Sequence, residues 1–566
     1  MDPSLLLDPN LVIKLGQELQ KRIGALPVVE VYAFHLESQP GEIVRMLRVQ
    51  PQSYSEIART VRAARTMKLT VRACGERTGG DVGIYGTATT VLVDCTLLAD
   101  SPRIEFVNIA RKGEKGETQG LRVLASVGIS ELVAFQVKHR IEIAQSVETT
   151  TIWGTVVGAI TSTAPGMVGP AGGARGGCLS DEVIAIRVVD CHGDMIQYSS
   201  EEDLSSVLST LGLIGVVYDV TLRYKPISLS KVQYEFIKWN DLLKEDNIIL
   251  KSSAETNQMT ELIYLPFNSC PAADSDHIEI HRWEPMEDEV ILHMTTKIPY
   301  SIGVETAAKI SAVDSQPRQQ VHLIDQIFGP TPKELVGEVE KTPWLLQRAH
   351  KYLRCRFQPD PISIQYTPWA INSLGKMSEP LRTLRFTIES DKNMVRFKEA
   401  MKAILRMMRE IATGSARNVR NYAINLGIRV HFTGVTLTGR LMGIGFEPSV
   451  EQPCSVKLAH ISFNGITSPG PNTMWTKAAA RTTMTMLKSI PRCVPQWKTE
   501  WHGIELIKER FRELLEAQVE PLKNVIALAD RDGVFLNELM ASILYPKETF
   551  YQSLYRRQRE DALPSY

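Results

Sequence analysis

The sequence lacks a charge excess. Its 566 residues carry 64 Lys and Arg against 64 Asp and Glu, so the basic footprint of a dedicated nucleic-acid protein is missing. It also lacks long apolar runs: none reaches the roughly 20 residues of a bilayer span. The first 24 residues, MDPSLLLDPNLVIKLGQELQKRIG, have neither the basic start nor the continuous apolar core of a secretory signal. Cysteine pairs are lacking too. Cys74, Cys95, Cys178, Cys191, Cys270, Cys355, Cys454 and Cys493 are scattered with no C-x-x-C, which points to reduced, mostly buried thiols. These absences predict no nucleic-acid partner and no transmembrane span. The expected location is cytoplasmic, or peripheral on an intracellular membrane.

Several familiar chemistries are also missing. No G-x-G-x-x-G opens a helix; GRLMGIGFEP contains G-x-G, but Phe446, Glu447 and Pro448 end the match. SLGKMS is not a P-loop, because Met377 stands where a hydroxyl must hold magnesium. No G-x-S-x-G elbow is present. His277 and His281 in HIEIH could share a metal only on a helix. Their alternation with Ile predicts a strand, which separates them by about 13 Å at ~3.3 Å per residue. No metal site is expected.

What is present is ordinary globular composition, 43% hydrophobic and 23% charged, in a length that suits two to four domains. Between residues 43 and 226 short strands and helices alternate. IVRMLRVQP reads as a strand and SYSEIARTVRAARTMK as a helix, with Ser53 and Glu56 at capping-box spacing. LTVRACG, TVLVDCT and LRVLASV read as strands, and SELVAFQVKHR as a helix capped by Ser130. DEVIAIRVVD and DMIQYS flank a turn at CHG, and GVVYDVTLRYKP closes the region as a strand. Further on, Ser390 is a candidate cap for DKNMVRFKEAMKAILRMMREIA, whose Met394, Phe397, Met401, Ile404, Met408 and Ile411 form an apolar stripe.

Two glycine-rich turns stand out: VRACGERTGGDVGIYG after the LTVRA strand, and IWGTVVGAITSTAPGMVGPAGGARGG from Ile152 to Gly177. Glycine permits positive φ and close approach, and converging backbone N–H groups make a concavity that suits a diphosphate.

The order of VRACGERTGG, TVLVDCTLL, LRVLASVGISELVAF, TTIWGTVVGAITSTAPG, LSDEVIAIRVVDCHGD and LGLIGVVYDVTLR resembles the FAD-binding domain of vanillyl-alcohol-oxidase-type (PCMH-type) flavoproteins. Within them it is most similar to the sugar-1,4-lactone oxidases. VPQWKTEWH and LADRDGVFLNELM resemble segments near the family's C-terminus. The resemblance implies an α+β fold in which a two-subdomain FAD-binding domain with mixed sheets covers 43–226. An N-terminal extension covers 1–42, an α+β cap or substrate domain 227–490, and 491–566 packs back toward the flavin domain.

It implies residues as well. Arg72, Gly75, Glu76, Arg77, Thr78 and Gly79 fall on the first cofactor loop. Thr155, Gly158, Ala159, Ser162 and Gly166 fall on the second, with hydroxyls donating to phosphate and flavin oxygens. Main-chain groups of Val188 and Val189 are expected at the adenine. The implied reaction is hydride transfer from a hydroxyl-bearing substrate, a sugar lactone or polyol, to FAD, with oxygen or a redox protein as final acceptor. Arg429 matches the substrate-binding arginine of an E-x-R pair, with His431 or Lys498 near the flavin. The chain departs from the pattern at Arg77, Thr78, Pro165, Gly427 and Gln496. Thr78 cannot form a histidyl–flavin bond, so FAD is expected to be non-covalent. Two other readings share the fold: a catalytically altered binding or structural module, and a dehydrogenase of 2-hydroxy acids.

Overall fold

The computed structural model describes residues 9–35, 43–75, 89–110, 116–144, 154–162, 177–208, 210–244, 250, 259–266, 277–286, 362–368, 381–390, 394–413, 422–424, 427–433, 457–466, 474–491, 493–496, 504–515, 519–536 and 538–545.

Helix α1 (Pro9–Ile23) and strand β1 (Val29–His35) precede β2 (Ile43–Val49), α2 (Tyr54–Thr66), β3 (Thr70–Cys74) and β4 (Thr90–Asp94). The four strands form one sheet in the order β1-β2-β4-β3. β4 lies between two parallel neighbours, which explains why TVLVD is buried throughout. β1 pairs antiparallel with β2 from Val29↔Val49 to His35↔Ile43. α1 buries Val12, Leu15, Leu19 and Ile23, a 3-4-4 spacing that makes one stripe. The segment read as an extension is therefore the edge strand and a covering helix of this sheet.

β5 (Ile104–Ala110), β6 (Glu117–Leu124), α3 (Ile129–His139), β7 (Ile141–Glu142) and α4 (Val156–Thr161) follow. Next come β8 (Val183–Val189), β9 (Met195–Tyr198), α5 (Glu201–Val207), β10 (Val216–Leu222) and β11 (Lys225–Pro226). Five of these strands make an antiparallel sheet, β5-β6-β10-β8-β9, while β7 pairs with β11. Both larger sheets share one hydrophobic core.

Local capping differs from the sequence expectation. Ser53 sits at the N-cap of α2 without a side-chain cap bond, and Glu56 accepts instead from the Gln52 N–H at 2.7 Å. The N-cap of α3 is Gly128, so Ser130 lies in the first turn.

The second domain contains β12 (Leu229–Lys238), α6 (Trp239–Leu242), β13 (Met259–Tyr264), β14 (His277–Pro285), β15 (Ile362–Tyr366) and β16 (Leu381–Ser390). α7 (Val395–Thr413), β17 (Gly427–Thr433), β18 (Lys457–Ile466), α8 (Met474–Ser489) and β19 (Val494–Pro495) complete it. Ser390 pairs with Lys457 as the last residue of β16 rather than capping α7. The eight strands run β15-β12-β14-β13-β17-β18-β16-β19.

Strand alternation gives this sheet two unlike faces. Ile280, Leu262, Val430, Ile461 and Phe386 lie in one register row and belong to the apolar core, together with the Met394–Ile411 stripe of α7. Displaced by one residue, His281, Glu261, His431, His460 and Thr387 form a row on the opposite face, also fully buried.

α9 (Ile504–Leu515), α10 (Val519–Ala529) and α11 (Glu538–Leu544) close the chain. Ile507, Phe511, Ile526 and Met540 join the second-domain core. Val534 and Phe535 belong to the first core, and the Val71 N–H donates to the Val534 carbonyl at 2.6 Å. The C-terminal segment thus touches both domains. No helix among the described residues is long and apolar enough to cross a membrane.

Candidate active site

The described ends of the two glycine-rich turns meet, at Gly75 and Thr155. Strand β3 delivers Gly75, whose hypothetical Cβ would lie 2.6 Å from both Oγ1 and Cγ2 of Thr155. A side chain at 75 would displace Thr155, so glycine is required there by close approach. Thr155 is the N-cap of α4: its Oγ1 accepts from the Gly158 N–H at 3.0 Å. A Cβ on Gly158 would come within 2.9 Å of the same oxygen. Ala159 is buried beneath. The Thr161 hydroxyl donates to the Val157 carbonyl at 3.0 Å and the Ser162 hydroxyl to the Gly158 carbonyl at 2.6 Å. Those two protons serve the helix rather than a phosphate.

Arg72 is the charged group of this corner. It is 3% exposed, and its Nε and Nη1 have no hydrogen-bond partner among the described residues. Burial pulls its pKa down to about 10, with Cys74 opposing, so it remains a cation at neutral pH. A buried, unsatisfied guanidinium is costly unless an anion meets it.

Val188 and Val189 do not fit the adenine expectation. β8 is an interior strand, paired with β10 through Val217 and Val216 and with β9 through Ile196 and Met195. Both edges of its main chain are committed to ladders. Gly215, at φ +149°, crowds the same place, since its Cβ would sit 2.4 Å from the Val189 carbonyl oxygen. Glu76, Arg77, Thr78, Gly79, Gly166 and Lys498 lie outside the described residues.

The buried polar face of the eight-stranded sheet holds the other candidates. Arg429 and His431 are two residues apart on β17 and share this face. Gly427, where the resemblance expects a glutamate, has φ +88°, and a Cβ there would be 2.5 Å from the Tyr264 carbonyl oxygen. No glutamate fits. The carboxylate comes instead from the neighbouring strand: Glu261 Oε1 lies 3.5 Å from Arg429 Nη1, and both residues are buried. His281 extends the cluster, with Nε2 2.9 Å from Glu279 Oε1 and Nδ1 3.8 Å from Glu261 Oε2. Burial lowers its pKa to about 4, outweighing the upward pull of Glu261. It is therefore neutral near pH 7.

Sequence reading missed Glu261, Glu279 and His460 and dismissed His281 with the metal question. The available signal was alternation: acids and histidines recur every second residue in HIEIH, where a strand's solvent face would be polar. Only the sheet shows that this face is buried.

No protein-family model matches the chain, and no curated protein matches it in sequence. Three-dimensional comparison does find relatives in shape. A cholesterol oxidase from B. sterolicum has a TM-score of 0.64 at 15% identity, over 91% of this chain and 97% of that one. The fold is the PCMH type. A single-residue mutant of the Brevibacterium sterolicum enzyme gives a TM-score of 0.61 at 14% identity, again over 91% and 97%. A solvent-stable cholesterol oxidase gives 0.59 at 12% identity over 91% and 98%. At these identities the likeness is one of α+β architecture.

Proposed function

We propose that this protein is an FAD-dependent oxidoreductase that oxidises a polar, hydroxyl-bearing small molecule, a sugar lactone or polyol, with FAD held non-covalently. The observation that carries the reading is Arg72: a buried cation with two unpartnered nitrogens, three residues before a glycine that presses on the second small-residue turn. Arg72 would meet the diphosphate, and Gly75, Thr155 and Gly158 would give the backbone its close approach. Bound FAD supplies the two-electron acceptor for the hydride.

The chain's own groups do the rest. Arg429 orients the substrate oxygen, held in place by Glu261 on the adjacent strand. His431 accepts the hydroxyl proton. Its register partner Glu261 stands where a carboxylate offsets the charge gained by the ring. The polar face also bears on substrate class. A sterol would bury Glu261, Glu279, Arg429 and the histidines against hydrocarbon, at a cost of several kcal/mol, whereas hydroxyls can pair with them. That favours a polyhydroxylated substrate over a sterol.

Anaerobic mixing with gulono-1,4-lactone, xylitol, lactate or cholesterol tests this. A lactone or polyol should bleach the flavin band, and Arg429→Ala should slow bleaching about 100-fold, near 3 kcal/mol, with FAD content unchanged. Bleaching by cholesterol or lactate alone would overturn the substrate class. Bleaching indifferent to Arg429→Ala would overturn the site.

A further inference from the structure

His460 lies at the centre of a closed network. It is 1% exposed. Its Nε2 is 2.7 Å from Thr433 Oγ1. Its Nδ1 is 2.9 Å from Thr387 Oγ1 and 3.2 Å from the Gln496 amide nitrogen. The same amide nitrogen donates to Thr387 Oγ1 at 3.0 Å. These contacts assign the tautomer. An amide nitrogen can only donate, so Nδ1 must accept; the ring proton is on Nε2 and goes to Thr433. Three side chains, from three strands or their ends, therefore hold one neutral imidazole in one orientation.

The held ring is the platform for another. His431 stacks on His460 with centroids 4.9 Å apart and planes inclined by 29°. His431 is the register partner of His460 on one side and of Glu261 on the other, and Arg429 precedes it on the same face. Gln496 thus has a structural use: its amide nitrogen carries two N–H groups and reaches both Thr387 and His460, which a ring nitrogen with at most one N–H could not do.

Building on the substrate-site reading above, we propose that His460 is a positioning residue for the reaction, locked by Gln496, Thr387 and Thr433 as the Nε2–H tautomer so that His431 is held at a fixed angle between Glu261 and the substrate. It acts through His431 and does not touch the reacting atoms. Burial, reinforced by His431 and Arg385, keeps the His460 pKa well below the usual histidine range, so the platform stays uncharged when His431 takes up a proton. The charged and titratable groups facing the pair from neighbouring strands are Glu261, His281, Arg385 and Arg429.

The test uses the full chain with 15N-labelled histidine. The signal removed by His460→Phe should show a protonated Nε2 and a bare Nδ1, unchanged as pH falls through the ordinary histidine range. Gln496→Leu should release it to mixed tautomers. In bleaching kinetics with whichever of gulono-1,4-lactone or xylitol reacts, Gln496→Leu should lower kcat about ten-fold and leave KM within about two-fold. In a His431→Ala background Gln496→Leu should add no further loss, because the two act as one unit. FAD absorbance should be unchanged throughout. A protonated Nδ1, additive losses, or a change confined to KM would each overturn the proposal. Failure of the wild type to react with any probe would overturn the substrate-site reading itself, and the positioning role with it.

Discussion

Two buried arginines of this protein live in opposite circumstances. Arg72, in the middle of β3, has Nε and Nη1 without acceptors among the described residues. Arg429, on β17, faces the fully buried carboxylate of Glu261. The first corner carries a charge whose Nε and Nη1 meet no described residue, beside a glycine that admits no side chain; the second carries a compensated one close to the neutral ring of His281. An unbalanced cation suits an anionic ligand, a diphosphate. A balanced network suits a neutral ligand rich in hydroxyls. The contrast divides the cofactor role from the substrate role more sharply than either site does alone.

Substitution should break the symmetry between them in the absence of ligand. Glu261→Ala strands Arg429 in the interior and should destabilise the protein by about 3–5 kcal/mol, read from urea midpoints at constant m. Arg72→Met removes a charge that no described residue meets at Nε or Nη1 and should leave the FAD-free protein as stable as the wild type or more so. Equal losses from both would mean that Arg72 is as well compensated as Arg429, and the comparison would fail.

A smaller effect concerns a buried acid. Asp530 accepts from the N–H groups of Val534 at 2.8 Å and Phe535 at 2.7 Å, which fastens the loop that docks on β3. Burial nevertheless raises its pKa to about 7. In the unfolded chain it titrates near 3.9. Below about pH 4 both states hold the proton and the contribution is complete; from about 4 to 7 the unfolded chain sheds its proton first, so stability declines as pH rises; above about 7 the decline ends. Asp530→Asn should flatten that decline in urea midpoints taken across the window. Identical slopes would show that Asp530 titrates normally.

The sequence carried the local half of this account. β4 was legible because a central parallel strand must be apolar on both sides, and the α7 stripe because its methionines recur at helical spacing. The touching turns were legible through their glycines. What depended on remote pairing was not. β1 looked like part of an extension because an edge strand makes sense only beside its partner, β2. Ser130 resembled a cap, although the backbone enters α3 two residues earlier, at Gly128. Glu261 could not be matched with Arg429, since 168 residues separate them and only the β13–β17 register brings them together. Gly427 looked like a loss; its positive φ shows that the chain has no room for the glutamate and takes a carboxylate from next door. Val188 and Val189 have ladder partners on both edges of β8, an occupancy that a strand's sequence does not reveal.

The central claim is that Arg72 and the two touching turns hold FAD. Its most direct measurement is the absorption spectrum of the purified chain before and after heat denaturation, followed by FAD titration of the stripped protein and of Arg72→Met. The account predicts a yellow protein that releases free FAD on heating, and an affinity lowered roughly thirty-fold by Arg72→Met, about 2 kcal/mol for one charge-assisted contact. A colourless protein that binds no added FAD, or an affinity indifferent to residue 72, would contradict it.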